Sequence, residues 1–189
     1  MSSGLTPPSF YAAAPPPAPA RPTSWRVVAA QVLATIAVFA GVGALCGLLW
    51  FHQWDVPSGT VSGGQWFTDE HGLRDDFSGT GWYIVITVAA GLVLGLLAAW
   101  VCEHSELATL GAVVVGSCLA GWLTYRVGLH LSAPDPQVLA ATAADGTRLD
   151  GALRVHGLAP YGAFPFGALL GLMAVYLLTG RRSDRPEAV

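Results

Sequence analysis

The chain has 189 residues, 53% hydrophobic and 11% charged, with a formal net charge of -3. A soluble domain carries about 25% charged residues, so this composition argues against a soluble enzyme and implies that lipid covers part of the surface. It also argues against nucleic-acid binding, because the nine arginines are scattered from Arg21 to Arg185, whereas phosphate recognition needs a concentrated basic face.

Lys and Asn are absent and all positive side-chain charge is Arg, a bias that suits a GC-rich genome such as an actinobacterial one. Without Asn there is no N-glycosylation acceptor. Cys46, Cys102 and Cys118 are odd in number, lie in or beside apolar runs and lack C-x-x-C spacing. They read as small buried residues rather than a disulfide or metal framework.

Residues 1–25 read as a disordered, Pro-rich cytoplasmic tail. Seven prolines fall within the first 24 positions and no apolar residue repeats at helical spacing there, so neither a helix nor a core is expected. Four apolar runs follow, predicting helices over 27–51, 82–102, 107–131 and 157–179. About 20 residues at 1.5 Å rise cross a hydrocarbon core of roughly 30 Å, so each run is long enough to span. The first exceeds the h-region of a cleaved leader and reads as an anchor. Trp and Tyr residues, among them Trp50, Trp82, Trp100 and Trp122, gather at the ends of the runs, as the headgroup region prefers.

An even number of spans puts both tails on one side. Arg21 and Arg26 precede the first helix and Arg181, Arg182 and Arg185 follow the last, so the positive-inside rule places the N- and C-termini, the latter as a tail over 181–189, in the cytoplasm. The connections are then an outer loop at 52–81, a short inner turn at 103–106 and a second outer loop at 132–156. So short a turn predicts an antiparallel hairpin of the second and third helices. Alternation in Gly59–Phe67 and Thr147–Val155, with Asp145-Gly146 as a turn, predicts a small extracytoplasmic β-cap over the bundle. Leu33–Ile36 resembles Leu107–Leu110, and Leu94–Ala98 resembles Leu170–Ala174, which raises the reading of a parallel 2+2 repeat. The expected fold is therefore an all-α membrane protein, a four-helix bundle over 26–180.

Small residues recur four apart in each span: Gly43 and Gly47, Gly91 and Gly95, Ala112, Gly116 and Ala120, and Ala163, Gly167 and Gly171. In lipid such faces drive helix packing by close backbone approach. They are expected to join the helices of one chain, with a homo-oligomer or another membrane protein as the alternative partner.

Arg126 shares one helical stripe with Trp122 and His130. It either snorkels to the headgroups over Trp122 or forms a structural ion pair with Asp75 or Asp76. His52, Asp55, Asp69, Glu70, His71, Asp75 and Asp76 read as a solvated acidic loop, since their spacing matches no metal motif. Glu103, His104 and Glu106 read as the polar residues of a water-exposed turn. Pro160 and Pro165 fall near the start of the fourth helix, where Pro165 is expected to kink it. No nucleophile motif, phosphate loop or metal-protease motif is present, so neither catalysis, a cofactor nor a bound metal is expected.

Gly63-Gly64-Gln65-Trp66-Phe67, the acidic segment leading to Gly81-Trp82-Tyr83, Ala90–Leu96, Trp122–Gly128 and Ala144-Asp145-Gly146-Thr147 together resemble a family of small actinobacterial four-pass membrane proteins of unknown function. The resemblance covers about residues 26–180 and implies a plasma-membrane location. It carries over no catalytic residue. The expected function is non-enzymatic, in envelope-associated assembly or interaction, with a small transporter or channel subunit as the alternative.

Overall fold

The computed structural model describes residues 25–101 and 106–183. The Pro-rich segment, the turn with Glu103 and His104, Cys102 and the tail beyond Ser183 lie outside the described residues. The chain runs α1 (Trp25–Gln53), β1 (Ser58–Ser62), β2 (Gln65–Thr68), α2 (Glu70–Val101), α3 (Glu106–Leu131), α4 (Pro136–Ala140), β3 (Arg148–Asp150), a 3-10 turn (Ala159–Gly162) and α5 (Ala163–Ser183). Four helices are long and apolar enough to cross a membrane, and a three-stranded sheet of order β2-β1-β3 sits at the end that carries the long connections. The expected multi-pass helical membrane architecture with a small β-cap is the one observed.

Helix boundaries differ from the hydropathy reading in two places. α2 begins at Glu70, well before the apolar run at Trp82. Asp69 caps it, its Oδ1 accepting from Gly72 N at 2.8 Å, with Glu70 in the first turn. A side-chain cap and an acid near the positive helix end favour initiation there. The acidic stretch expected as loop is thus a polar helical extension. At the other boundary, the 3-10 turn delays α5 to Ala163. Pro165 then falls in the first turn, where no intrahelical bond needs its missing N–H, so the ground for the expected kink is gone.

The pairing of helices also departs from the hairpin expectation. α1 packs chiefly on α3, and α2 on α5, whereas α2 and α3 touch only marginally. Phe39, Gly43 and Gly47 meet Gly116, Ala120 and Thr124 in ascending order, so α1 and α3 run parallel. Gly91 and Gly95 face the backbone of Phe164 and Ala168, and Gly167 and Gly171 face that of Val88 and Leu92, making the second pair parallel too. Chain adjacency is overridden because the glycine faces point across the bundle. A Cβ on Gly47 would stand 2.7 Å from the Thr124 carbonyl oxygen, and at Gly91, Gly95, Gly167 and Gly171 it would collide with the partner's backbone.

Close approach over these residues predicts an asymmetric mutational response. Gly95→Ala and Gly167→Ala should each lower stability by about 1–3 kcal/mol, the usual cost of overpacking, since backbone cannot move aside as a flexible side chain does. Gly41→Ala, with nothing within 4 Å of the added methyl, should leave it unchanged. Thermal unfolding in detergent checks both.

Candidate functional site at the capped end

The cap is woven from both long connections. Gly63 and Gly64 have φ of +57° and +74°, the conformation a two-residue hairpin turn demands and Gly accepts without steric cost. Gly63 N donates to Asp145 Oδ1 at 2.9 Å, Gly146 N to Val61 O at 2.8 Å and Val61 N to Thr147 O at 2.9 Å, so the Asp145-Gly146 turn clamps the hairpin. β3 then pairs antiparallel with β1, Gly59 opposite Leu149. On the β2 edge, Gln137 of α4 donates through Nε2 to Trp66 O at 3.1 Å and accepts from Trp66 N at 3.4 Å. One side-chain amide thus occupies an edge that would otherwise template another strand.

An aromatic plug joins cap to bundle. Trp50 is fully buried, edge-on to Tyr83 at 5.1 Å, and donates through Nε1 to Gly79 O at 2.7 Å. Tyr83 donates to Gly121 O at 2.9 Å, and Trp54 to Asp75 O at 3.1 Å. Tyr161 stands between Tyr83 and Tyr125, at 6.3 and 5.3 Å. Leu153 closes the layer from the second connection. Each buried indole and the phenol of Tyr83 finds a carbonyl, which lets such amphipathic rings be buried without an unpaired donor.

Around the plug lie two polar constellations. Asp135 and Arg154 form an ion pair that remains 41% and 46% exposed. It borders an open cavity of about 400 Å³ lined also by Tyr125, Ser132 and Leu153. In the second, His156 Nε2 lies 3.3 Å from Asp76 Oδ2 and Nδ1 lies 3.3 Å from Thr80 Oγ1, while His156 N donates to that same oxygen at 3.1 Å. With the imidazole proton on Nε2, every one of these atoms has a complementary partner. The order hydroxyl, imidazole, carboxylate resembles a nucleophile relay. Here it clips the strand-like segment after β3 onto α2, with the ring resting on Phe77 at 5.2 Å.

Arg126 stands over Trp122, its guanidinium carbon 5.7 Å from the ring centroid, and among the described residues it pairs with no carboxylate. Asp76 is engaged by His156, and Asp75 offers backbone oxygen to Trp54 and Ser78. Of the two contacts expected for Arg126, the one over Trp122 is formed. The ion-pair alternative is not formed: Asp76 pairs with His156 instead, and no ion pair joins Arg126 to Asp75. Among the described residues no three His, Cys, Asp or Glu converge. The packing glycines Gly43, Gly47, Gly91, Gly95, Gly116, Gly167 and Gly171 all lie at helix contacts.

Sequence reasoning missed the His156 clip and the Gln137 edge cover. Asp76 and Thr80 are four apart, a helical spacing visible only once 70–81 is read as helix. The chain matches no protein-family model, and no curated protein or solved structure matches it either.

The plug, rather than the ion pair, should carry the stability of this end. Trp50→Ala is expected to cost about 3–5 kcal/mol, and Arg154→Gln less than about 1 kcal/mol because its partner is half exposed. Chemical denaturation in mixed micelles, followed by near-UV circular dichroism, separates the two.

Proposed function

We propose that the chain is a non-enzymatic plasma-membrane protein of the small actinobacterial four-pass family, acting in envelope-associated assembly or interaction through its capped end. The observation that carries this reading is the cap surface. Phe67, Leu73, Phe77 and Val138 are 55%, 54%, 65% and 70% exposed on elements beyond the apolar spans. Large apolar side chains held toward water favour contact with another protein.

The interior supports the same choice over a transporter or channel subunit. The buried polar side chains among the described residues are Thr87, Thr109, Ser117 and Thr124. Thr87 donates to Tyr83 O at 2.6 Å, Ser117 to Val114 O at 3.0 Å, and Thr124 lies 2.9 Å from both Gly43 O and Ala120 O. The hydroxyls of Thr87, Ser117 and Thr124 are spent on helix carbonyls, whereas a conduction path needs polar groups turned to a shared lumen.

In-cell cross-linking followed by mass spectrometry should recover one membrane or envelope protein, or a second copy of the chain, joined through cap residues. Phe67→Asp with Phe77→Asp should reduce that product at least about five-fold, the scale of losing one modest apolar contact. Solute-specific flux in liposomes containing the purified chain would reverse the ranking.

The arginine distribution supports a cytoplasmic position for both termini, with the cap outside. Five arginines and four acids fall on the tail side, against four arginines and eight acids on the capped side. Ser62→Cys in an otherwise cysteine-free chain should react with a membrane-impermeant maleimide in intact cells. Labelling only after lysis would invert the topology.

A further inference from the structure

Arg126 is a cation that no carboxylate among the described residues matches. Its guanidinium carbon stands over the Trp122 ring, 5.7 Å from the centroid. By contrast, Arg154, on the same end of the molecule, is held by Asp135.

Depth comes from helix length and from neighbours. From Leu107, about 20 residues of α3 at 1.5 Å each bring the chain to Val127 across a hydrocarbon core of roughly 30 Å. Val127 lies beside Gly47, and the next residue, Gly128, lies against Trp50 in the aromatic plug. Arg126 therefore stands where hydrocarbon gives way to lipid phosphates.

The face is equally specific. Trp122, Arg126 and His130 follow at intervals of four and all three are exposed. Toward the membrane centre the same side of α3 continues through Cys118, Val115 and Gly111, all exposed, an uncharged track for an acyl chain. Beside Arg126 and His130 lies an open cavity of about 500 Å³, lined also by Val127, Leu129 and Leu131. Among the described residues no carboxylate lines it, so an anion there meets no like charge.

We propose that Arg126 and His130 bind the phosphate of an anionic phospholipid in the leaflet at the capped end, with its acyl chain lying along Trp122 and Cys118. The Arg fork offers two parallel N–H donors to phosphate oxygens, and an imidazole N–H of His130 offers a third one turn higher. Trp122 holds the guanidinium in place from below. The acyl track selects a lipid over free phosphate. The site requires only that α3 spans a bilayer, and it stands whether or not the cap binds a protein.

Native mass spectrometry of the full chain in detergent, titrated with phosphatidylglycerol or phosphatidylcholine, tests this. Wild type should retain one phosphatidylglycerol about ten-fold more tightly than phosphatidylcholine, the scale of one charge-assisted contact. Arg126→Gln should abolish that preference and His130→Leu should weaken it, while Arg154→Gln leaves it intact. Inorganic phosphate at matched concentration should neither bind nor displace the lipid. Equal retention of both lipids, a preference that survives Arg126→Gln, an equal loss in Arg154→Gln, or displacement by inorganic phosphate would each overturn the assignment. Circular dichroism of each variant confirms that the helices persist.

Discussion

The constraint on which the rest of the structure depends is the approach of helix backbones over glycine. Inside a bilayer, separating two apolar helices exposes them only to more hydrocarbon, so the hydrophobic effect does not hold them together. What remains is dispersion between closely fitted atoms, which decays steeply with any gap. Gly43 and Gly47 let α1 reach the backbone of α3, and Gly91, Gly95, Gly167 and Gly171 do the same between α2 and α5. The two pairs then set the spacing at which Trp50 meets Tyr83 and Gly128, and the plug in turn seats the cap.

The α2–α5 contact has an internal regularity. Gly91 and Gly167 are 76 positions apart, as are Gly95 and Gly171. Gly91 meets Phe164 while Gly167 meets Val88, and Gly95 meets Ala168 while Gly171 meets Leu92. Each contact is the other seen from the opposite helix, the self-complementary pattern of a two-fold interface. The same interval separates Leu94–Ala98 from Leu170–Ala174. Similar segments of α2 and α5 therefore lie side by side in this contact.

The spans, the packing glycines and the cap's existence were legible in the sequence because each rests on a local or periodic signal. Run length marks a span, small residues four apart mark a close face, and Asp-Gly between alternating segments marks a turn. The start of α2 was not legible from hydropathy, since Glu70–Gly81 is polar and glycine-containing and owes its helix to the Asp69 cap and to indole bonds from Trp50 and Trp54. Helix partners were not legible for a related reason. A small-residue stripe announces that something approaches closely, but which helix it is depends on where every other stripe points. The His156 clip joins residues 76 and 80 positions upstream, beyond the reach of any local pattern.

The length of α2 connects these points. At 32 residues it is about 48 Å long, whereas the hydrocarbon core is about 30 Å, so roughly the first three turns stand clear of the bilayer. Those turns carry Asp75 and Gly79, which anchor Trp54 and Trp50, and Asp76 and Thr80, which anchor His156. A polar extension of a spanning helix is therefore the post to which both long connections are tied. The first connection is held through the indoles at the end of α1, the second through the imidazole before α5. The post continues directly into the glycine face that grips α5, so no loop intervenes between the anchor points of the cap and the α2–α5 contact. The acidic segment, which composition marks only as water-loving, is the continuous helical connection between the cap and the spanning part of α2.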